Sequence, residues 1–134
     1  MFQTLGGAMK LYVDCDETLV FWDNPDLPYE GSMTLNLELI SVLTKGIQSG
    51  RYDVTIWSAG GDYWAGQVSE MLFGEYNLRV ASKWQEFDKI PDGSYAIDNR
   101  KKEDRVYLQN FIYVFSPEEF VDNIEEWEKY NDFD

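Results

Sequence analysis

Two aspartates one residue apart, Asp14 and Asp16, close the apolar run in "LYVDCDETLV". A strand would gain more from another apolar side chain there than from a pair of carboxylates, so the pair asks for a chemical reason. Other apolar runs end in the same way. Ser58 closes "DVTIWS", Lys83 lies just past "LRVAS", and Asp98 closes "SYAID". As the chain leaves its strand, Asp14 and Asp16 send their side chains in different directions, so that one faces a ligand and the other flanks it. With Asp98 they offer hard anionic oxygens suited to Mg²⁺, which binds a few carboxylates and keeps waters or phosphate oxygens. An acid cluster alone repels phosphate. A divalent cation and a lysine reverse the local field and make phosphoryl chemistry feasible.

These residues converge only if strands bring them together. Residues 10–14 read as a first strand, "DVTIWS" as a second, "LRVAS" as a third, "SYAID" as a fourth and "FIYVF" as a fifth. Between the first two, Pro25, Pro28 and Gly31 break an aromatic run into a turn or hairpin, and "TLNLELISVLTKGIQSG" has helical spacing from Ser32 or Thr34 to Gly50. "GGDYWAGQVSEMLFG" predicts a second helix ending at Gly74. A last helix opens on Ser116 as N-cap, with Pro117 in first position, Glu119 completing a capping box, and Phe120, Ile124 and Trp127 on one face. Strands alternating with helices predict a mostly parallel sheet covered on both faces, in one domain over 9–134 preceded by an extension over 1–8. In such a sheet ligands sit beyond the carboxyl ends of the strands, where Asp14, Asp16, Ser58, Lys83 and Asp98 all fall.

Composition narrows the chemistry. The chain carries a net charge of −14, which disfavours a nucleic-acid backbone or an anionic lipid surface as a general partner while leaving room for a local phosphate pocket. A lone Cys15 and the absence of histidine rule out an internal disulfide and a Cys/His zinc site, so a metal here takes oxygen ligands. The sequence has no apolar stretch of membrane-span length, and its opening "MFQTLGGA" lacks the basic start and long apolar run of a secretory leader, which points to a cytoplasmic protein. Cys15 reads as a small buried filler and the tryptophans as core, with Trp22 placed to line a substrate entrance. Arg100, Lys101 and Lys102 form a basic run past Asp98 that reads as a solvated helix start.

In order, "LYVDCDET", "VTIWS", a lysine and "YAID" resemble the four motifs of the haloacid dehalogenase (HAD) superfamily, with a first motif similar to that of the RNA polymerase carboxy-terminal-domain phosphatases. The resemblance spans roughly residues 9 to 115. It implies an α/β fold, a Rossmann-like three-layer sandwich with about five strands, mostly parallel, and no cap domain. It also implies a Mg²⁺-dependent phosphomonoester hydrolase with Asp14 as nucleophile and Asp16 as general acid and base. Ser58 and the Ala59 amide would bind phosphoryl oxygens and a lysine would neutralise charge, while Thr18 would orient the loop. Mg²⁺ would be held by Asp14, Asp16 through its backbone carbonyl, and Asp98. Family-like spacing favours Lys89 as that lysine, with Lys83 as the alternative. Asn99 stands where the family often has a second acid. Without a cap, the site is open to a large or extended phosphorylated substrate: a phosphoprotein, or a phosphorylated nucleic-acid end, sugar or lipid. The competing expectation is a non-catalytic module that keeps the fold and binds a metal or a partner.

Overall fold

The computed structural model describes residues 7–131, with side chains through residue 124. Most of the expected 1–8 extension, and the side chain of Trp127, therefore lie outside what is described; the first strand opens at Met9.

Five strands, β1 (Met9–Asp14), β4 (Tyr52–Ser58), β5 (Arg79–Ser82), β6 (Ser94–Ile97) and β7 (Val114–Phe115), form one parallel sheet in the order β5-β4-β1-β6-β7. The expected α/β class and five-stranded parallel sheet are both present. β1 lies at the centre, and its Leu11, Val13 and Ile56 of β4 are fully buried, as a strand covered on both faces requires. The "FIYVF" strand shrinks to two residues at the sheet edge, where pairing is one-sided.

The aromatic stretch after β1 folds into an antiparallel hairpin of β2 (Val20–Trp22) and β3 (Met33–Leu35). That hairpin moves the first helix. Thr34, an expected start, pairs with Phe21 instead, and α1 (Leu37–Gln48) begins after Asn36. The Asn36 side-chain oxygen accepts from the Leu39 N–H at 3.3 Å, while its amide donates to the Thr18 carbonyl at 3.0 Å. One residue thus caps the helix and anchors the turn that carries Asp16.

α2 (Asp62–Phe73) follows Gly61, whose φ of +105° is open to glycine and strained for other residues. After β5 the chain enters a single-turn helix, α3 (Lys83–Glu86), and the last helix is α4 (Pro117–Asn131). Ser116 caps α4 as expected, accepting from the Glu119 N–H at 3.1 Å. The reciprocal half of the box is missing, because the Glu119 carboxylate accepts from the Tyr113 hydroxyl at 2.6 Å instead.

The two faces of the sheet are covered unequally. Leu39 and Leu43 of α1, Ala65, Val68 and Phe73 of α2, and Phe120, Val121 and Ile124 of α4 pack with Leu11, Val13, Cys15 and Ile56 on one face. Short helical turns supply Phe87, Tyr107 and Leu108, and the bend after them Phe111, to the other, over Tyr12, Trp57, Ala81 and Ala96. Cys15 is fully buried in the larger cluster, and burial pushes its thiol well above the ordinary range. It is the expected filler. Trp84 departs from the core expectation: it is exposed. Among the described residues, no helix is long and apolar enough to cross a membrane.

Candidate active site

Period-two alternation explains which side chains can meet. Asp14 is in register with Trp57, and Trp57 with Ala81, while Val13 pairs with Ile97 and so brings Asp98 level with Asp14. Lys83 lies two residues beyond Ala81. Asp14, Trp57, Lys83 and Asp98 therefore share one face at the carboxyl end of the sheet.

On that face Lys83 closes the cluster. Its Nζ donates to Asp14 Oδ1 at 2.9 Å and to Asp98 Oδ2 at 2.7 Å. Two strand spacings of about 4.8 Å separate β5 from β1, so the side chain must cross β4, which it does over the Trp57 and Tyr107 rings. Only a long, unbranched cation placed directly after β5 makes that reach. Lys89 does not: it lies in a later turn, its side chain is 68% exposed, and its partner is Glu86 at 3.7 Å. The expectation of Lys89 is corrected on this geometry. Lys83 stands where a strand-end position puts it, in contact with both acids, whereas the lysine favoured by spacing lies against Glu86.

The cluster is buried, with Asp14, Lys83 and Asp98 at 5%, 2% and 1% exposure. Burial is the main influence on Asp14, and with the Asp98 charge it outweighs Lys83 and raises the carboxyl to about 6. Burial opposes the Lys83 ammonium, but Asp14 and then Asp98 prevail and hold its pKa above the ordinary lysine value. Two carboxylates against one ammonium leave one buried negative charge uncompensated.

The remaining donors fix the carboxylates. Thr18 Oγ1 donates to Asp14 Oδ2 at 2.8 Å, as expected for a residue orienting the loop, and the Arg100 backbone N–H donates to Asp98 Oδ1 at 2.8 Å. The Asn99 amide bridges the two acids, 2.9 Å from Asp14 Oδ2 and 3.2 Å from Asp98 Oδ1 when its nitrogen faces them. Turned over, it presents an oxygen at the same place. Among the described residues no three Asp, Glu, Cys or His side chains form a metal-holding group. Asp14, Asp98 and Asn99 form the nearest fit, with the buried excess charge favouring a cation.

Asp16 is placed differently. Its Oδ1 accepts from the indole N–H of Trp22 at 2.9 Å and of Trp64 at 3.2 Å, and its Oδ2 accepts from the Tyr29 hydroxyl at 3.2 Å. No partner of this carboxylate belongs to the Asp14–Lys83–Asp98 cluster. The Asp16 carboxylate is thus committed to the three aromatic donors. Burial, then the Asp16 charge and hydrogen bond, raise the Tyr29 phenol to about 12, so it remains a donor at neutral pH. Trp22, 8% exposed, holds the acid through its indole N–H. Neither Trp64 nor Tyr29 was expected here, and nothing in their local sequence pattern announces the contact.

Ser58 ends β4, the neighbour of β1, and is 1% exposed. Its hydroxyl accepts from the Gly60 N–H at 2.9 Å and its carbonyl from Gly61 at 3.2 Å, shaping a turn with Ala59 at its tip. That turn leads into α2, whose N-terminal end favours an anion. Arg100 and Lys101 are exposed, and a short helical turn follows at Lys102–Asp104, as a solvated helix start requires.

No family model matches the chain, and no curated protein matches it. Among solved structures it resembles a chain in the "Structure of Pnkp1/Rnl/Hen1 complex", with a TM-score of 0.50 and 18% sequence identity over 85% of this chain. The likeness shows the fold. It covers 48% of the other chain, so this chain spans about half that length.

Proposed function

We propose that the protein is a Mg²⁺-dependent phosphomonoester hydrolase of the HAD type that works through an aspartyl-phosphate on Asp14. The observation that carries the reading is the Lys83 bridge between Asp14 and Asp98, which leaves a buried excess of negative charge beside an amide able to turn its oxygen inward. Asp14, Asp98, Asn99 and the Asp16 carbonyl would hold the cation. When bound, Mg²⁺ supplies charge neutralisation for the phosphoryl group.

The rest falls to the chain itself. Lys83 and Thr18 hold the Asp14 carboxylate in place, so that one oxygen can attack phosphorus as the ester P–O bond breaks and its electrons pass to the leaving oxygen. The Ser58–Gly60 turn and the N-terminus of α2 would receive phosphoryl oxygens. Asp16 would protonate the leaving oxygen and then take a proton from the water that hydrolyses the aspartyl-phosphate. No inserted domain separates β1 from α1, where the hairpin intervenes, or β4 from β5, where α2 and the short helical turn Gly74–Tyr76 intervene. The open site suits an extended phosphorylated substrate, a phosphoprotein or a phosphorylated nucleic-acid end among them. The neighbour's occurrence within a multi-protein complex is compatible with a macromolecular substrate.

The test is hydrolysis of p-nitrophenyl phosphate with Mg²⁺ and with EDTA, by the wild type and Asp14→Asn. Turnover that needs Mg²⁺ and vanishes with Asp14→Asn is the expected result. A folded wild type with no turnover overturns the reading. Activity retained by Asp14→Asn would sink the covalent route.

A further inference from the structure

The hydrogen bonds of Asp16 are divided unequally between its two oxygens. Oδ1 is held by two indoles, Trp22 on β2 and Trp64 on α2, whose rings stack with centroids 5.8 Å apart. Trp22 is 8% exposed, and both residues belong to regular elements. Oδ2 is held by Tyr29 alone. That residue is 51% exposed, belongs to the hairpin connection, and has φ of +72°, a region unfavourable to a tyrosine. Its ring meets Trp22 and Trp64 edge-on at 5.4 and 5.1 Å.

The Tyr29 hydroxyl also marks the direction that Oδ2 faces. A Cβ built on Gly60 would lie 2.6 Å from it, so the hydroxyl rests against the Ser58–Gly60 turn. It occupies the space between Asp16 and the turn proposed to receive the phosphoryl group. A leaving oxygen would have to enter that space.

We propose that Trp22 and Trp64 are positioning residues that fix Oδ1 of Asp16 and thereby present Oδ2 as the proton-transferring atom, with the Tyr29 hydroxyl as an occupant that substrate displaces. The inference rests on the phosphomonoesterase reading above. In the first step the proton on Oδ2 passes to the leaving oxygen as its bond to phosphorus breaks, and the electron pair of that bond stays on the oxygen. Asp16 is left as a carboxylate, and Oδ2 recovers a proton from the water that attacks the aspartyl-phosphate. Two part-buried donors on one oxygen restrict rotation of the carboxylate, so the other oxygen keeps its aim. The single donor on Oδ2 comes from an exposed, backbone-strained residue and is the easiest to remove.

The assay is kcat/KM, which reports the step in which the leaving group departs, for phosphate esters ranging from p-nitrophenyl to alkyl. A nitrophenolate leaves without a proton, whereas an alkoxide needs one. Trp22→Phe and Trp64→Phe keep a ring and lose the N–H. Each is expected to lower kcat/KM about 10-fold on alkyl phosphates and less than about 2-fold on p-nitrophenyl phosphate, steepening the leaving-group dependence towards that of Asp16→Asn. Tyr29→Phe is expected to raise kcat/KM about 2- to 5-fold for all leaving groups alike, because one hydrogen bond no longer has to be broken. Should Trp22→Phe fail to fold, Trp64→Phe decides the matter alone. Equal losses across all leaving groups in the tryptophan variants, with Asp16→Asn still selective, overturn the positioning role and leave the phosphatase intact. A loss with Tyr29→Phe as large as with the tryptophans overturns its part as a displaceable occupant. Absence of wild-type turnover removes the parent reading and this inference with it.

Discussion

Replacing Lys83 by methionine removes the only ammonium between two buried carboxylates while keeping an unbranched side chain of similar length. At 2.9 and 2.7 Å, each ion pair carries roughly 6 kcal/mol of attraction at an effective dielectric of about 20, much of it offset by the cost of burying the charges. What the substitution exposes is the repulsion left behind: Asp14 and Asp98 would stay buried with no cation. Breaking such an arrangement from one side costs about 3–5 kcal/mol, which for a chain of this size lowers the melting midpoint by roughly 10–20 °C. The loss has a pH signature. Asp14 already has its carboxyl raised to about 6, and without Lys83 it would take up a proton more readily still, relieving the repulsion. The deficit is therefore expected to be largest near pH 8, to shrink as the pH falls towards 6, and to level off below it. Mg²⁺ should restore part of it. Lys89→Met, with an exposed side chain 3.7 Å from Glu86, is expected to stay within about 0.5 kcal/mol of wild type. In turnover, Lys83→Met should lose about 10²- to 10³-fold in kcat and Lys89→Met should not. Thermal melts in EDTA from pH 5 to 8 and the p-nitrophenyl phosphate assay read both effects. If Lys83→Met melts within about 2 °C of wild type at pH 8, or if Lys89→Met loses as much activity, the buried-pair reasoning is refuted.

A second pH effect concerns Asp14 itself. Its folded-state pKa is raised from 3.8 to about 6, so its contribution to stability is fully present below 3.8 and is lost as the pH rises through 6. Between pH 4 and 7.5, in EDTA, Asp14→Asn should gain on the order of 3 kcal/mol relative to wild type, measured by urea unfolding at each pH. Gly46→Ala places a methyl group inside the Tyr52 ring, and the overlap of about 1–3 kcal/mol outweighs the roughly 0.5–1 kcal/mol that alanine contributes to a helix; a lowered urea midpoint would show it. Ser116→Ala removes the acceptor for the Glu119 N–H and should cost about 1 kcal/mol, visible as a fall of a few degrees in the melting midpoint with kcat unchanged.

Period and punctuation in the sequence determined the parallel α/β sheet, the places where strands end, and the candidacy of Asp14, Ser58, Lys83 and Asp98. These follow from local physics: alternation sets which residues are buried, and a charge at the end of an apolar run marks where a strand leaves the core. The hairpin's hold on Thr34 was less legible, because pairing with Phe21 competes with helical spacing and only the partner strand decides between them. The lysine shows the division most clearly. Lys83 and Lys89 both precede Asp98, but only the two-strand crossing from β5 to β1 reveals which of them reaches the carboxylates. The three aromatic donors around Asp16 come from β2, the hairpin connection and α2, with Trp64 lying 48 positions after Asp16. A hydrogen bond between side chains that far apart leaves no periodic trace in a single sequence. It exists because the sheet and hairpin bring their backbones together, and the tertiary structure alone decides it.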